Sequence, residues 1–224
     1  MSSSDREGYE FADGLPIEPI DPGTTVMVAG PALSPAEKVA RAMVADGSDT
    51  GEGMLFISTS QTCRKLLEAC QRTYPSFDTT RMGVVDCSGQ DLGQAPSGLE
   101  VKYVSTQSDL TGIGMKFSAL YESLYGAVDE GRIRTGLISL SSLSMYVEMR
   151  ALFQFAQTLS GRIDSAGGLG VFSMDPTTHD TKTVNTLSQA ADGRIEVREA
   201  DEGMAQLRIR GLPDQPSGWQ PIPL

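Results

Sequence analysis

From residue 24 onward, short apolar runs rich in valine and isoleucine alternate with longer segments whose apolar positions repeat at helical period. That alternation predicts an α/β fold with a mostly parallel central sheet flanked by helices. Strands are expected at 24–29, 54–59, 82–86, 101–104, 136–140 and 170–174, and helices at 35–45, 61–73, 114–130, 146–163 and 181–190. Beyond the last helix, 193–198 and 204–210 alternate around a charged turn at 200–203, as a closing antiparallel hairpin at the C-terminus would. Residues 1–22 read as a polar tail and a proline-containing extended lead-in, with order beginning near Thr24. One domain is expected over 23–212, followed by a Pro-rich C-terminal tail over 213–224. No internal repeat or low-complexity segment interrupts it.

Charge narrows the partners. Against 18 basic residues stand 29 acidic ones, giving a net charge of −11, which repels nucleic-acid phosphates and an anionic membrane surface. No run of Lys and Arg forms a counter-patch, so nucleic acid is not an expected partner. Lysine is confined to Lys38, Lys65, Lys102, Lys116 and Lys182. Arginine therefore carries most of the positive charge on an acidic surface, a balance that points to a halophilic source. The opening 14 residues are polar and acidic, unlike a secretory signal, and no apolar run reaches the roughly 20 residues needed to span a bilayer. Neither membrane insertion nor export is expected, and the cytoplasm is the expected location. Cys63, Cys70 and Cys87 lack the close pairing of a zinc site. Cys63 and Cys70 would share a helix face, as a metal pair or as core thiols, and the reading adopted is packed, reduced thiols with no metal.

Particular segments carry a family resemblance. The run Gly23-Thr24-Thr25-Val26-Met27-Val28-Ala29-Gly30-Pro31 resembles the strand leading into the phosphate loop of RecA/KaiC-like P-loop ATPases, and 51–60 resembles their second strand. Residues 134–149 resemble the Walker B strand and its following helix, and 187–197 the entry to the closing hairpin. The stretches 146–155 and 175–180 resemble a degenerate haloarchaeal branch of that superfamily, sometimes called transducer-like. The resemblance covers most of the chain after residue 22 and implies a RecA-like domain over 23–212.

An active phosphate loop reads G-x-x-x-x-G-K-[ST]: glycines turn backbone N–H groups inward, lysine reaches the terminal phosphates, and the hydroxyl holds magnesium. Here the stretch is Gly30-Pro31-Ala32-Leu33-Ser34-Pro35-Ala36-Glu37. Ungapped, Pro35 falls on the second glycine, Ala36 on the lysine and Glu37 on the hydroxyl. Lys38 reaches the lysine position only if the loop is lengthened by two residues, which puts Val39 where the hydroxyl belongs. Ser34-Pro35-Ala36-Glu37 instead reads as a capping box, in which Ser34 and Glu37 would satisfy one another's N–H groups. Glu37 would also place negative charge where a helix dipole favours an anion. At the Walker B position the resemblance puts Ile138 in place of the metal-orienting aspartate.

A last polar cluster, Asp175-Pro176-Thr177-Thr178-His179-Asp180, follows a predicted strand on the side where α/β sheets bind ligands. Asp175, His179 and Asp180 are therefore candidate crevice residues, although a proline turn followed by an Asp180 helix cap explains the same residues. Phe153, Phe155 and Tyr146 fall at helical spacings that suit a core. The expectation is a non-hydrolysing regulatory or interaction module, with no catalytic residue, cofactor or metal, that pairs with itself or an active RecA/KaiC-like paralogue. The rivals are a weak nucleotide-binding protein or ATPase with a non-standard site and a DNA-recombination accessory protein.

Overall fold

The structure is a computed structural model that describes residues 7–12, 14–32, 34–74, 77–89, 99–200 and 204–223. In chain order the elements are β1 (Thr25–Ala29), α1 (Ala36–Ala45), α2 (Gly47–Thr50), β2 (Gly53–Ser58), α3 (Cys63–Thr73), β3 (Met82–Asp86) and β4 (Glu100–Tyr103). There follow α4 (Leu110–Tyr125), β5 (Ile133–Ile138), α5 (Leu140–Leu143), α6 (Met149–Ala166), β6 (Leu169–Met174) and α7 (Thr181–Ser188). The strands β7 (Gly193–Glu199), β8 (Ala205–Arg210) and β9 (Gln220–Ile222) close the chain. They form one sheet in the order β4-β3-β2-β5-β6-β1-β7-β8-β9, parallel from β4 through β7 and antiparallel over β7-β8-β9. The expected architecture is the observed one.

Every residue of β1, β2, β3, β5 and β6 is buried, as strands covered on both faces must be. Alternate side chains supply two cores. Val26, Val28, Phe56 and Val84 pack with Val39 and Met43 of α1 and Leu66 of α3. Met27, Leu55, Ile57 and Phe172 pack with Phe117 of α4, Leu152 of α6 and Val184 of α7. Strands β7 and β8 alternate buried and half-buried residues, and Arg198 and Arg208 stack over Trp219 beside β9. Among the described residues no helix is long and apolar enough to cross a membrane.

Several boundaries differ from expectation for physical reasons. Order begins well before Thr24: Tyr9 is fully buried, bridges Ile20, and donates its hydroxyl to Gly167 O at 3.0 Å. Residues 7–12 are held against the domain by Arg132 and Arg134. Strand β5 starts at Ile133 rather than 136, because Arg134 lies wholly inside and breaks the apolar run without breaking the strand. Helix α4 starts at Leu110, where the Asp109 carboxylate caps it by accepting the Gly112 N–H at 2.8 Å. The segment expected as a tail contributes β9, whose Ile222 is buried. Residues 201–203 of the expected hairpin turn and residues 1–6 of the expected tail lie outside the described residues.

Candidate functional site

In an open parallel sheet, ligands sit beyond the carboxyl ends of the strands, where peptide N–H groups and helix N-termini converge. Here that crevice is bounded by the ends of β1, β5 and β6. The chain leaves β1 at Gly30, whose N–H donates to Met174 O at 3.2 Å, and enters α1 at Ala36. A Cβ on Gly30 would lie 2.7 Å from Ser34 Oγ, from Ala36 Cβ and from Val197 O, so only glycine permits this close approach. The loop is folded tightly onto itself.

Several of its polar groups are answered from within the chain. The Ala32 N–H donates to Asp175 Oδ2 at 2.8 Å. Asp175 Oδ1 accepts the Thr177 N–H at 2.8 Å and the Thr177 hydroxyl at 2.7 Å. Ser141 Oγ accepts the Asp175 N–H at 3.0 Å and lies 3.0 Å from His179 Nε2. At the end of β5 the Thr59 hydroxyl accepts the Ser139 N–H at 2.6 Å and donates to Ile138 O and Ser139 O, each at 2.8 Å. The Ile138–Ser139 peptide is cis.

The expected capping box is not formed. Pro35 occupies the cap position with no side-chain cap, and the Ser34 hydroxyl instead accepts the Ala36 N–H at 3.4 Å. The Glu37 carboxylate turns to Arg41 at 3.5 Å and Gln61 at 3.4 Å. The helix starts one residue later than a capping box requires, so Ser34 is two residues from its donor instead of three. Glu37 still stands in the first turn of α1.

The candidate residues divide. Gly30, Pro31, Ser34, Ala36, Glu37 and Asp175 line one cavity of about 140 Å³, together with Ala32, Met174 and the hydroxyl residues Ser139 and Ser173. Pro35 and Lys38 are outside its lining, and Ile138, 0% exposed, packs into the core with Val39. His179 does not line this cavity, and its Nε2 lies against Ser141 Oγ. Asp180 caps α7 by accepting the Thr183 N–H at 2.7 Å, which holds its carboxyl below the usual range. That is the structural role weighed against a ligand role. A shift of register at the Walker B position brings in Ser139, without a carboxylate, while Ser141, Ser173 and Thr59 were missed, because single hydroxyls carry no spacing signal.

A triphosphate does not fit these residues. Ligand pockets generally begin at about 300 Å³, roughly twice this cavity. The Ala32 N–H already serves a carboxylate, and neither Lys nor Arg lines the space. A larger open groove of about 590 Å³ lies between α4 and α6, lined by Leu110, Met115, Phe155 and Arg162 among others. The cysteines are buried and unbridged, and among the described residues no three or more acidic, His and Cys side chains are grouped so as to hold a metal ion.

Among solved structures, the KaiC-like protein PH0186 from the hyperthermophilic archaeon Pyrococcus horikoshii OT3 matches with a TM-score of 0.66. The match covers 96% of this chain and 92% of that one at 13% identity. An identity that low establishes the shared fold alone. No curated protein matches the chain. A protein-family model matches residues 23–197, and the chain accordingly belongs to the family of unknown function DUF7504.

Proposed function

We propose that this protein is a non-hydrolysing regulatory or protein-interaction module on a RecA/KaiC-like fold, a pseudo-ATPase whose phosphate and metal positions have been rebuilt. The observation that carries the reading is the Asp175 carboxylate on the Ala32 N–H. A loop of this kind in an active enzyme presents its N–H groups to phosphate. Here one of them faces an internal anion, with a second carboxylate, Glu37, in the first turn of the helix behind it. Pro35, Ala36 and Ile138 supply neither a phosphate-binding cation nor a metal-orienting carboxylate.

The use of the fold that this reading leaves is contact. By analogy with fold relatives, the partner is a second copy or an active RecA/KaiC-like paralogue. A cytoplasmic location and adaptation to high salt belong to the same reading, supported by the net charge of −11. The rival reading as a weak nucleotide binder needs room at the crevice and draws no support from a cavity of about 140 Å³. Affinity capture from the source cells at their own salt concentration, with phosphate release measured on the purified chain, tests the proposal. The expected result is a RecA-fold partner and no release above the blank. Phosphate release that tracks protein concentration overturns it.

A further inference from the structure

We propose that the cavity between the β1–α1 loop and the ends of β5 and β6 binds one monovalent metal cation. Its lining is rich in oxygen-bearing residues: Asp175 and the hydroxyl residues Ser34, Ser139 and Ser173, with Glu37, whose carboxylate pairs with Arg41, and no basic residue in the lining. Ser173 supplies the independent sign of a ligand. It is 4% exposed, yet its hydroxyl has no hydrogen-bond partner among the described residues. A buried hydroxyl left unanswered calls for a bound species, because burying it alone is unfavourable.

The geometry of Asp175 fits an ion ligand. Its Oδ1 accepts two hydrogen bonds and its Oδ2 one, so the carboxylate is fixed in place while a lone pair remains on Oδ2. Oxygen donors select a hard cation. One carboxylate without an ion pair among the described residues, Asp175, set among neutral oxygens matches a single positive charge better than a double one, and no group of three acidic, His or Cys ligands is present among the described residues. The positive end of α1 opposes a cation here, and Glu37 in its first turn offsets it. About 140 Å³ also suits an ion with a few waters, each of which occupies about 30 Å³ in the liquid. The crevice position that an active relative gives to an anion would thus hold a cation.

The inference stands on this cavity and goes beyond the pseudo-ATPase reading. ATP binding is measured separately, so failure here leaves that reading intact. Thermal unfolding is compared in KCl, NaCl and choline chloride at one fixed ionic strength. The expected result is a Tm several degrees higher in KCl or NaCl than in choline, saturating with cation concentration. Ser173→Ala should keep its Tm in choline and lose most of the difference, and Asp175→Asn should weaken it. Thallium(I), read by NMR as a potassium substitute, should bind with one site per chain in the wild type and not in Ser173→Ala. Equal Tm in all three salts, an unchanged cation effect in Ser173→Ala, or a larger, saturating shift with Mg²⁺ or Ca²⁺ overturns the proposal.

Discussion

Asp175, at the end of β6, accepts the Ala32 N–H across the mouth of the sheet at 2.8 Å, and so ties the loop after β1 to the neighbouring strand. Hydrogen bonds to a charged group contribute about 1.5–3 kcal/mol. Asp175→Ala should lower the unfolding free energy by roughly that amount, and it should speed amide exchange at Ala32 and Thr177 while leaving β3 and α3 unchanged. Denaturant titration and hydrogen exchange check both. Unaltered exchange at Ala32 would show that the tie does not hold the loop.

Arg134 should be among the most sensitive positions in the chain. Its guanidinium is 0% exposed, pairs with Glu52, and donates to Met43 O at 2.8 Å and Glu10 O at 2.7 Å. Arg132 shares Glu52 at 2.9 Å and lies over the Tyr9 ring at 4.2 Å. Breaking a buried pair costs about 3–5 kcal/mol, and removing Arg134 leaves Glu52 buried with Arg132 as its remaining ion-pair partner. Arg134→Met should therefore destabilise by that order and free residues 7–12, seen as new protease cleavage within them. Arg134→Met combined with Glu52→Gln should recover part of the loss.

Burial pushes the thiols up, Cys63 to about 11, Cys70 to about 12 and Cys87 to about 12, with the Asp86 carboxylate adding to the effect at Cys63 and Cys87. Burial likewise raises Tyr9 to about 12. Each folded pKa lies above its unfolded value, about 8.5 for Cys and 10 for Tyr. Stability is then fully present below those unfolded values and is lost as pH rises toward 11–12. Denaturation midpoints should fall steadily above about pH 9. At pH 8 a thiol reagent should find no reactive cysteine in the native protein and all three after guanidinium unfolding. Rapid native labelling would contradict the buried placement.

Local pattern reveals the elements whose residues face the core at a regular period. Strand β3 is legible to its ends because Met82-Gly83-Val84-Val85 is bounded by Arg81 and by Asp86, whose carboxylate leaves the strand to accept the Cys63 N–H at 2.7 Å. The packing of Tyr9 is invisible locally, because the arginines that bury it lie more than 120 residues away in sequence. Arg134 conceals the start of β5 for the same reason: its charge reads as surface until Glu52 is brought to it. Strand β9 is masked by Pro221 and by its short length. At the crevice, the missing second glycine and lysine of 30–37 are visible in the sequence, whereas the capping box expected of Ser34 and Glu37 is not formed, because α1 starts one residue later. What could not be read was Asp175 reaching Ala32, since that pairing depends on β6 lying beside β1.

The central claim, that this crevice does not take nucleotide, is tested most directly by isothermal titration of Mg·ATP into the purified protein at millimolar concentration. The account predicts no binding heat and no rise in Tm, whereas a site filled to a hundred times its Kd would add about 2.7 kcal/mol of stability. Micromolar binding that weakens in Lys38→Ala would contradict it, because a lysine on α1 would then be reaching phosphate past the Ala32 N–H that Asp175 occupies.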